Sequence, residues 1–168
     1  NLGNIIYARW NGGGISDTYG HTGGVSQSPN YSGSTGSVMQ GTKTIEASNV
    51  GKSLAGVTIG SNDGVFQRYM SSNGSDLWAS NLVYSRVSMW MNGMTSNQRT
   101  NVKNYQSWQI NEPYLFSTNK WSTNKWYCSK LQWRAYFQYA GVDVDSNGGS
   151  IVLPQDILYS THLVGQSF

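Results

Sequence analysis

A single cysteine, Cys128, stands in a chain of 168 residues. One thiol cannot close an internal disulfide, so the fold must be held by its packed core. A chain of this length buries roughly 70% of the surface that its unfolded form exposes, which is enough for such a core. The apolar share is 38%, and 7 Trp, 11 Tyr and 4 Phe bring the aromatic share to 13%. These rings must supply much of the core, and the surplus is expected to line a cleft or groove. The length fits one domain, residues 1–168, and no linker or internal repeat divides it.

Charge narrows the function. Only 11% of the residues are charged, against about 25% in an ordinary soluble domain. Asn, Ser, Thr, Gly and Gln take their place, a composition associated with secreted bacterial proteins. The chain begins at Asn1 with no charged-then-apolar leader, which fits a mature form after signal-peptide removal. An extracytoplasmic location is expected. The formal net charge is +3, but the 11 Lys and Arg are scattered with no block of four or more. The clustered charge that nucleic acid requires is missing, so no nucleic-acid partner is expected. No apolar run reaches the ~18 residues of a membrane span. A monomer is expected.

The pattern of elements is mixed. Asn4-Ile5-Ile6-Tyr7-Ala8-Arg9 has strand composition, and Asn11-Gly12-Gly13-Gly14 has that of a loop. Tyr19-Gly20-His21-Thr22-Gly23-Gly24-Val25 leads into a second strand, and residues 28–37 form a turn or long loop. Residues 42–48 alternate, with Thr44, Glu46 and Ser48 on one face and Ile45 and Ala47 on the other. Further strands are predicted at 56–59 and 65–69 around a Ser61-Asn62-Asp63-Gly64 turn, and at 82–87. Thr95 with Gln98 three residues on predicts a capped helix to about Trp108, sharing Val102, Tyr105 and Trp108 on one face and stopped by Glu112-Pro113. A second helix is predicted over 126–139, capped by Thr123 or Asn124 and stopped by Gly141. Its apolar stripe is Tyr127, Leu131, Ala135 and Tyr139, with Lys130 and Arg134 on another face. Residues 143–149 form a turn, and Ile151-Val152-Leu153 begins a closing segment ended by Pro154.

Cys128 falls in the first turn of the second helix. Unpaired N–H groups and the helix dipole stabilise a thiolate there, which lowers its pKa and makes it nucleophilic. The same N–H groups can hold an oxyanion. A buried Cys acting as a small apolar residue is the plainer reading. His21 lies among glycines that let another element approach, and a Cys–His pair is the minimal activated nucleophile. A loop histidine with its ring in water is the alternative. Glu46 can orient the imidazole through Nδ1, or can simply face solvent from its strand. His162 lies outside any motif. Asp143, Asp145 and Asn147 match the first half of a calcium loop, but Pro154 stands where its bidentate Glu belongs. A turn explains these residues too, and calcium stays open. One Cys and two distant His make no zinc site. Neither a metal nor an organic cofactor is implied.

These residues fall into a larger pattern. Trp126-Tyr127-Cys128-Ser129-Lys130-Leu131-Gln132-Trp133 resembles the nucleophile segment of the YiiX/YaeF-like proteins, permuted papain-like enzymes of the NlpC/P60 superfamily. The likeness continues through Ala140-Gly141-Val142-Asp143-Val144-Asp145 and Val152-Leu153-Pro154-Gln155-Asp156-Ile157. Upstream, Leu2-Gly3-Asn4-Ile5-Ile6 resembles that family's opening strand, Gly20-His21-Thr22-Gly23 its histidine motif and Thr44-Ile45-Glu46-Ala47 its glutamate strand. The order His, Glu, Cys is the permuted one, the reverse of the Cys-first order of ordinary papain-like enzymes. Asn4 replaces the family's usual acidic residue, and residues 71–111 have no aligned counterpart.

The resemblance implies an α+β fold: a five- or six-stranded antiparallel sheet, open or barrel-like, carrying His21 and Glu46, with the Cys128 helix packed on it. It implies a cysteine amidase or peptidase that forms a thioester on Cys128, with His21 as base, Glu46 as orienting residue, and Tyr114 and Tyr127 at the substrate. Cell-wall peptide or another peptide-like substrate is expected. Two rivals stand beside it. An acyltransferase or transamidase would pass the same thioester to another nucleophile. A glycan- or cell-wall-binding module would leave Cys128 inert.

Overall fold

Strands of β-branched and aromatic residues form the first half of the chain, and amphipathic helices follow. The computed structural model describes residues 1–10, 20–28, 42–48, 53–54, 57–58, 64–69, 83–116 and 118–168. Eight strands are found among them: β1 (Ile5–Trp10), β2 (His21–Gln27), β3 (Lys43–Ser48), β4 (Ser53–Leu54), β5 (Val57–Thr58), β6 (Gly64–Tyr69), β7 (Val83–Met91) and β8 (Leu163–Ser167). Three helices follow β7: α1 (Ser96–Trp108), α2 (Cys128–Tyr139) and α3 (Pro154–Leu158). The expected 11–14 loop, the 61–63 part of the turn and residues 29–37 lie outside the described residues.

Six strands build one antiparallel sheet in the order β6-β3-β2-β1-β7-β8, and β4 pairs with β5 separately. The sheet is open: β6 and β8 are its edges, so the barrel form of the expectation does not hold. β8 went unforeseen because its sequence, Leu-Val-Gly-Gln-Ser, has little strand character. It forms on the edge of β7, pairing Met89 with Gly165, and most of it is exposed.

The pleat sorts the sheet into two faces. Ile5 and Tyr7 of β1, Ile45 and Ala47 of β3, Val65 of β6 and Met89 of β7 join one apolar cluster with Val102 and Tyr105 of α1 and Leu131, Trp133, Ala135 and Tyr136 of α2. The alternation foreseen in residues 44–48 is present. The polar face is buried as well, since Thr44 and Glu46 are both 0% exposed.

α1 has the predicted capping box: the Gln98 N–H donates to Thr95 Oγ1 at 3.1 Å, and Gln98 Oε1 accepts from the Thr95 N–H at 2.9 Å. Trp108 leaves the buried face and is 65% exposed. Each three-residue step falls about 60° short of a full turn, so the 102-105-108 series drifts off the core and Gln106 takes the buried position instead. Helix α2 begins at Cys128, two residues later than expected, and Thr123 and Asn124 do not cap it. Trp126 is drawn into a parallel bridge with Tyr114: its N–H donates to the Pro113 carbonyl at 2.9 Å and its carbonyl accepts from Leu115 at 3.0 Å. A residue held extended on both sides cannot be helical.

Lys130 is buried too, not on an open polar face. It donates to Ser122 Oγ at 2.8 Å and the Lys125 carbonyl at 2.7 Å, and its ammonium lies over the Trp126 ring. Pro154 opens α3 where it was expected to end a segment, because its fixed φ suits a first helical turn.

Candidate active site

Gly20 sets up the site. Its φ is +81°, and a Cβ there would collide with the Tyr7 ring. Glycine therefore lets the chain turn under Tyr7 and enter β2 at His21. Register then fixes the neighbours. Val25 pairs with Thr44, Thr44 with Arg68, and Glu46 with Phe66, so by alternation His21, Thr44, Glu46 and Arg68 share one face of the sheet.

Side-chain contacts follow from that placement. His21 Nε2 lies 2.8 Å from Glu46 Oε1, and both groups are buried. Glu46 also accepts Thr44 Oγ1 at 2.9 Å, Arg68 Nε at 3.0 Å and the Arg68 Nη2 group. With Nε2 turned to the carboxylate, Nδ1 is the nitrogen left for Cys128, with which the ring shares a hydrogen bond. The expected use of Nδ1 for the carboxylate is therefore reversed.

Cys128 is the first residue of α2 and is 9% exposed. Its helix end carries no side-chain cap and no acidic residue in the first turn, so its N–H groups and the positive end of the dipole are not neutralised by a carboxylate there. The residues on either side of Cys128 lock its position. Tyr127 Oη accepts the Val152 N–H at 2.9 Å, and Ser129 Oγ donates to the Val152 carbonyl at 2.5 Å.

The electrostatics agree with a polarised pair. Burial alone would push the Cys128 thiol up, but the His21 imidazolium and the hydrogen bonds from His21 and Thr22 bring it below its ordinary value. Burial would likewise depress His21, but the Cys128 and Glu46 anions outweigh it and raise the imidazole to about 9. Glu46 is held well below the usual carboxylate range: the cost of burial is overcome by the Arg68 guanidinium and His21.

Cys128, His21 and Glu46 thus lie side by side. Tyr127 does not reach a cleft: it is 0% exposed, its hydroxyl is taken by Val152, and its ring meets Phe116 edge-on. Tyr114 is half-buried, with its ring against the apolar cluster and its backbone beside Trp126. His162 is exposed on the approach to β8. The half calcium loop is used internally: Asp143 accepts Trp133 Nε1, Asp145 accepts Lys120 Nζ at 2.7 Å, and Asn147 donates to Asp156. Sequence reasoning missed Arg68. A lone Arg inside the strand-like run Val65-Phe66-Gln67-Arg68-Tyr69, in a chain poor in charge, was the available signal for a cross-strand partner of Glu46.

Comparison with known proteins bears on the fold. No protein-family model matches the chain. The crystal structure of the metalloprotein yiiX from Escherichia coli O157:H7 superposes with a TM-score of 0.62 at 16% identity, covering 99% of this chain and 96% of that one. The two share a fold. An uncharacterized protein, YycO of Bacillus subtilis (strain 168), is 36% identical over 73 residues, which is 41% of this chain and 30% of YycO's own length. The likeness to yiiX is thus one of overall fold, at an identity that carries no activity across.

Proposed function

We propose that this protein is a cysteine hydrolase that cleaves an amide bond through a thioester on Cys128. The observation that carries this reading is one hydrogen-bonded line: the Cys128 thiol at an uncapped helix start, the His21 ring, and a fully buried Glu46. In the resting site the thiol proton resides on His21 Nδ1. The thiolate attacks the carbonyl carbon, and the N–H groups at the start of α2 receive the oxyanion. The C–N bond breaks, and His21 gives its proton to the departing amine. Water then adds to the thioester, passing a proton to His21, and the acid leaves as the C–S bond breaks and the thiolate re-forms beside the protonated imidazole. Glu46 keeps the imidazole in the tautomer and orientation this requires.

The permuted papain-like, NlpC/P60 assignment belongs to this proposal, supported by the chain order His21, Glu46, Cys128. So do a peptide or cell-wall peptide substrate and an extracytoplasmic location, both supported by the uncharged polar composition. A metal does not fit. Although yiiX is described as a metalloprotein, among the described residues no three His, Cys, Asp or Glu side chains are grouped so that they could hold a metal ion. Glu46 is committed to His21, Thr44 and Arg68, and the Arg68 cation would repel another. No step is drawn through a metal.

Intact-mass analysis with a panel of activated esters and peptide amides tests the reading. An acyl adduct is expected on the native protein, decaying in water and absent in Cys128→Ser. A primary amine that captures the acyl group would turn the assignment to acyl transfer. No adduct, with Cys128 no more reactive than a free thiol, would overturn it.

A further inference from the structure

Arg68 stands on β6 opposite Thr44, and the pleat turns it to the face that Glu46 shares with His21. Its guanidinium forks onto the carboxylate: Nε donates to Oε2 at 3.0 Å, and Nη2 donates to Oε1. Oε1 is also the atom that His21 Nε2 meets at 2.8 Å. Two nitrogen groups that can both be cationic thus converge on one oxygen of a carboxylate that is 0% exposed. The guanidinium is held there, lying over the Phe66 ring at 5.3 Å with its side chain only 13% exposed. Guanidinium, carboxylate, imidazolium and thiolate follow one another with alternating charge. In a site closed to water such neighbours act on each other strongly.

We propose that Arg68 is a positioning residue for the reaction: by sharing the Glu46 carboxylate with His21, it loosens that carboxylate's hold on the imidazolium proton. This rests on reading His21 as the proton carrier of a cysteine hydrolase. When the amine departs, the Nδ1–H bond of His21 breaks as a new N–H bond forms on the leaving nitrogen, and the imidazole is left neutral. A carboxylate devoted to the imidazolium alone would hold that proton back. Arg68 takes up part of the carboxylate's charge and repels the imidazolium, and it exchanges no proton itself. Glu46 can then orient the ring without trapping it in the charged form.

The chain has only two histidines, so the imidazole NMR signals of His21 can be followed against pH and told apart with His162→Gln. Among the described residues, the charged and titratable groups facing that ring are Cys128 at the start of α2, Glu46 on β3 and, across the carboxylate, Arg68 on β6; β1 sets Ala8 beside it. Two variants are titrated, with thermal melting to check that each folds. Arg68→Gln keeps an amide donor without the charge, and is expected to raise the His21 titration by about one pH unit. Arg68→Lys keeps the charge but meets one oxygen instead of two, and should raise it by only about 0.3. It decides alone if Arg68→Gln does not fold. A titration that stays in place, or falls toward the ordinary ~6.5, would show that Arg68 only holds Glu46 in place and would overturn the proposal. An equal rise in both variants would overturn it too, since the fork and not the charge would then matter. In each of these cases a native His21 well above 6.5 leaves the hydrolase reading standing. If the native ring itself titrates near ~6.5, the imidazolium–thiolate pair is absent and both fall together.

Discussion

Glu46 is the most heavily committed side chain at the site, since His21, Thr44 and Arg68 all donate to it. Two consequences follow at the residue scale. Glu46→Gln would leave the Arg68 guanidinium without its anion and let the amide point either way at His21. A loss of about 3–5 kcal/mol in stability is expected from denaturant unfolding. Turnover should fall about 10²- to 10⁴-fold for any substrate found. The second consequence concerns pH. His21 is raised from 6.5 to about 9, so its contribution to folding is complete below 6.5 and is lost as pH rises through 9. The difference in Tm between native protein and His21→Ala should therefore shrink between pH 6.5 and 9.5. A difference that grows over that range would show that the imidazole is buried neutral.

At the scale of elements, β6 is anchored by a backbone contact that only glycine permits. Gly64 has φ +132°, and a Cβ there would overlap the Glu112 carbonyl, which accepts the Val65 N–H at 3.0 Å. Gly64→Ala should cost more than about 2 kcal/mol and weaken the hold of Arg68 on Glu46, readable as a lower Cm in urea. The Lys120–Asp145 pair, buried and 2.7 Å apart, fastens the segment before α2 to the turn after it. Asp145→Asn should cost about 3–5 kcal/mol by the same measurement, because it strands a buried ammonium.

These contacts also explain how much could be seen in the sequence. The α1 cap, the β3 alternation and the Cys128 helix are local patterns, and each was legible. The start of α2 was not, because it depends on Trp126 meeting Tyr114, twelve residues away. Arg68 was hidden for the same reason: its role exists only once β6 is registered against β3. His21, Glu46 and Cys128 became readable as a set through the motif resemblance. Spacing alone would have left each as a single polar residue.

For the molecule as a whole, the sheet order sets a protected centre against an open edge. β1 is flanked by β2 and β7, and Ile5, Ile6, Tyr7 and Ala8 are all buried, whereas β8 is an edge whose residues are mostly exposed. Amide hydrogen exchange should be slowest in β1 and fastest in β8, and β8 amides as protected as those of β1 would contradict this order. Among the described residues no helix is long and apolar enough to cross a membrane.

The lone thiol carries one more consequence, in redox chemistry. A thiolate at the surface of a site is the form that peroxide attacks, giving a sulfenic acid. Enzymes that survive this usually have a second cysteine to trap the sulfenic acid as a disulfide, and these 168 residues contain none. Within these residues an oxidised Cys128 has no thiol to rescue it before it passes to the sulfinic acid, from which ordinary reductants give no return. The activation proposed for Cys128 would thus leave it dependent on its surroundings to stay reduced.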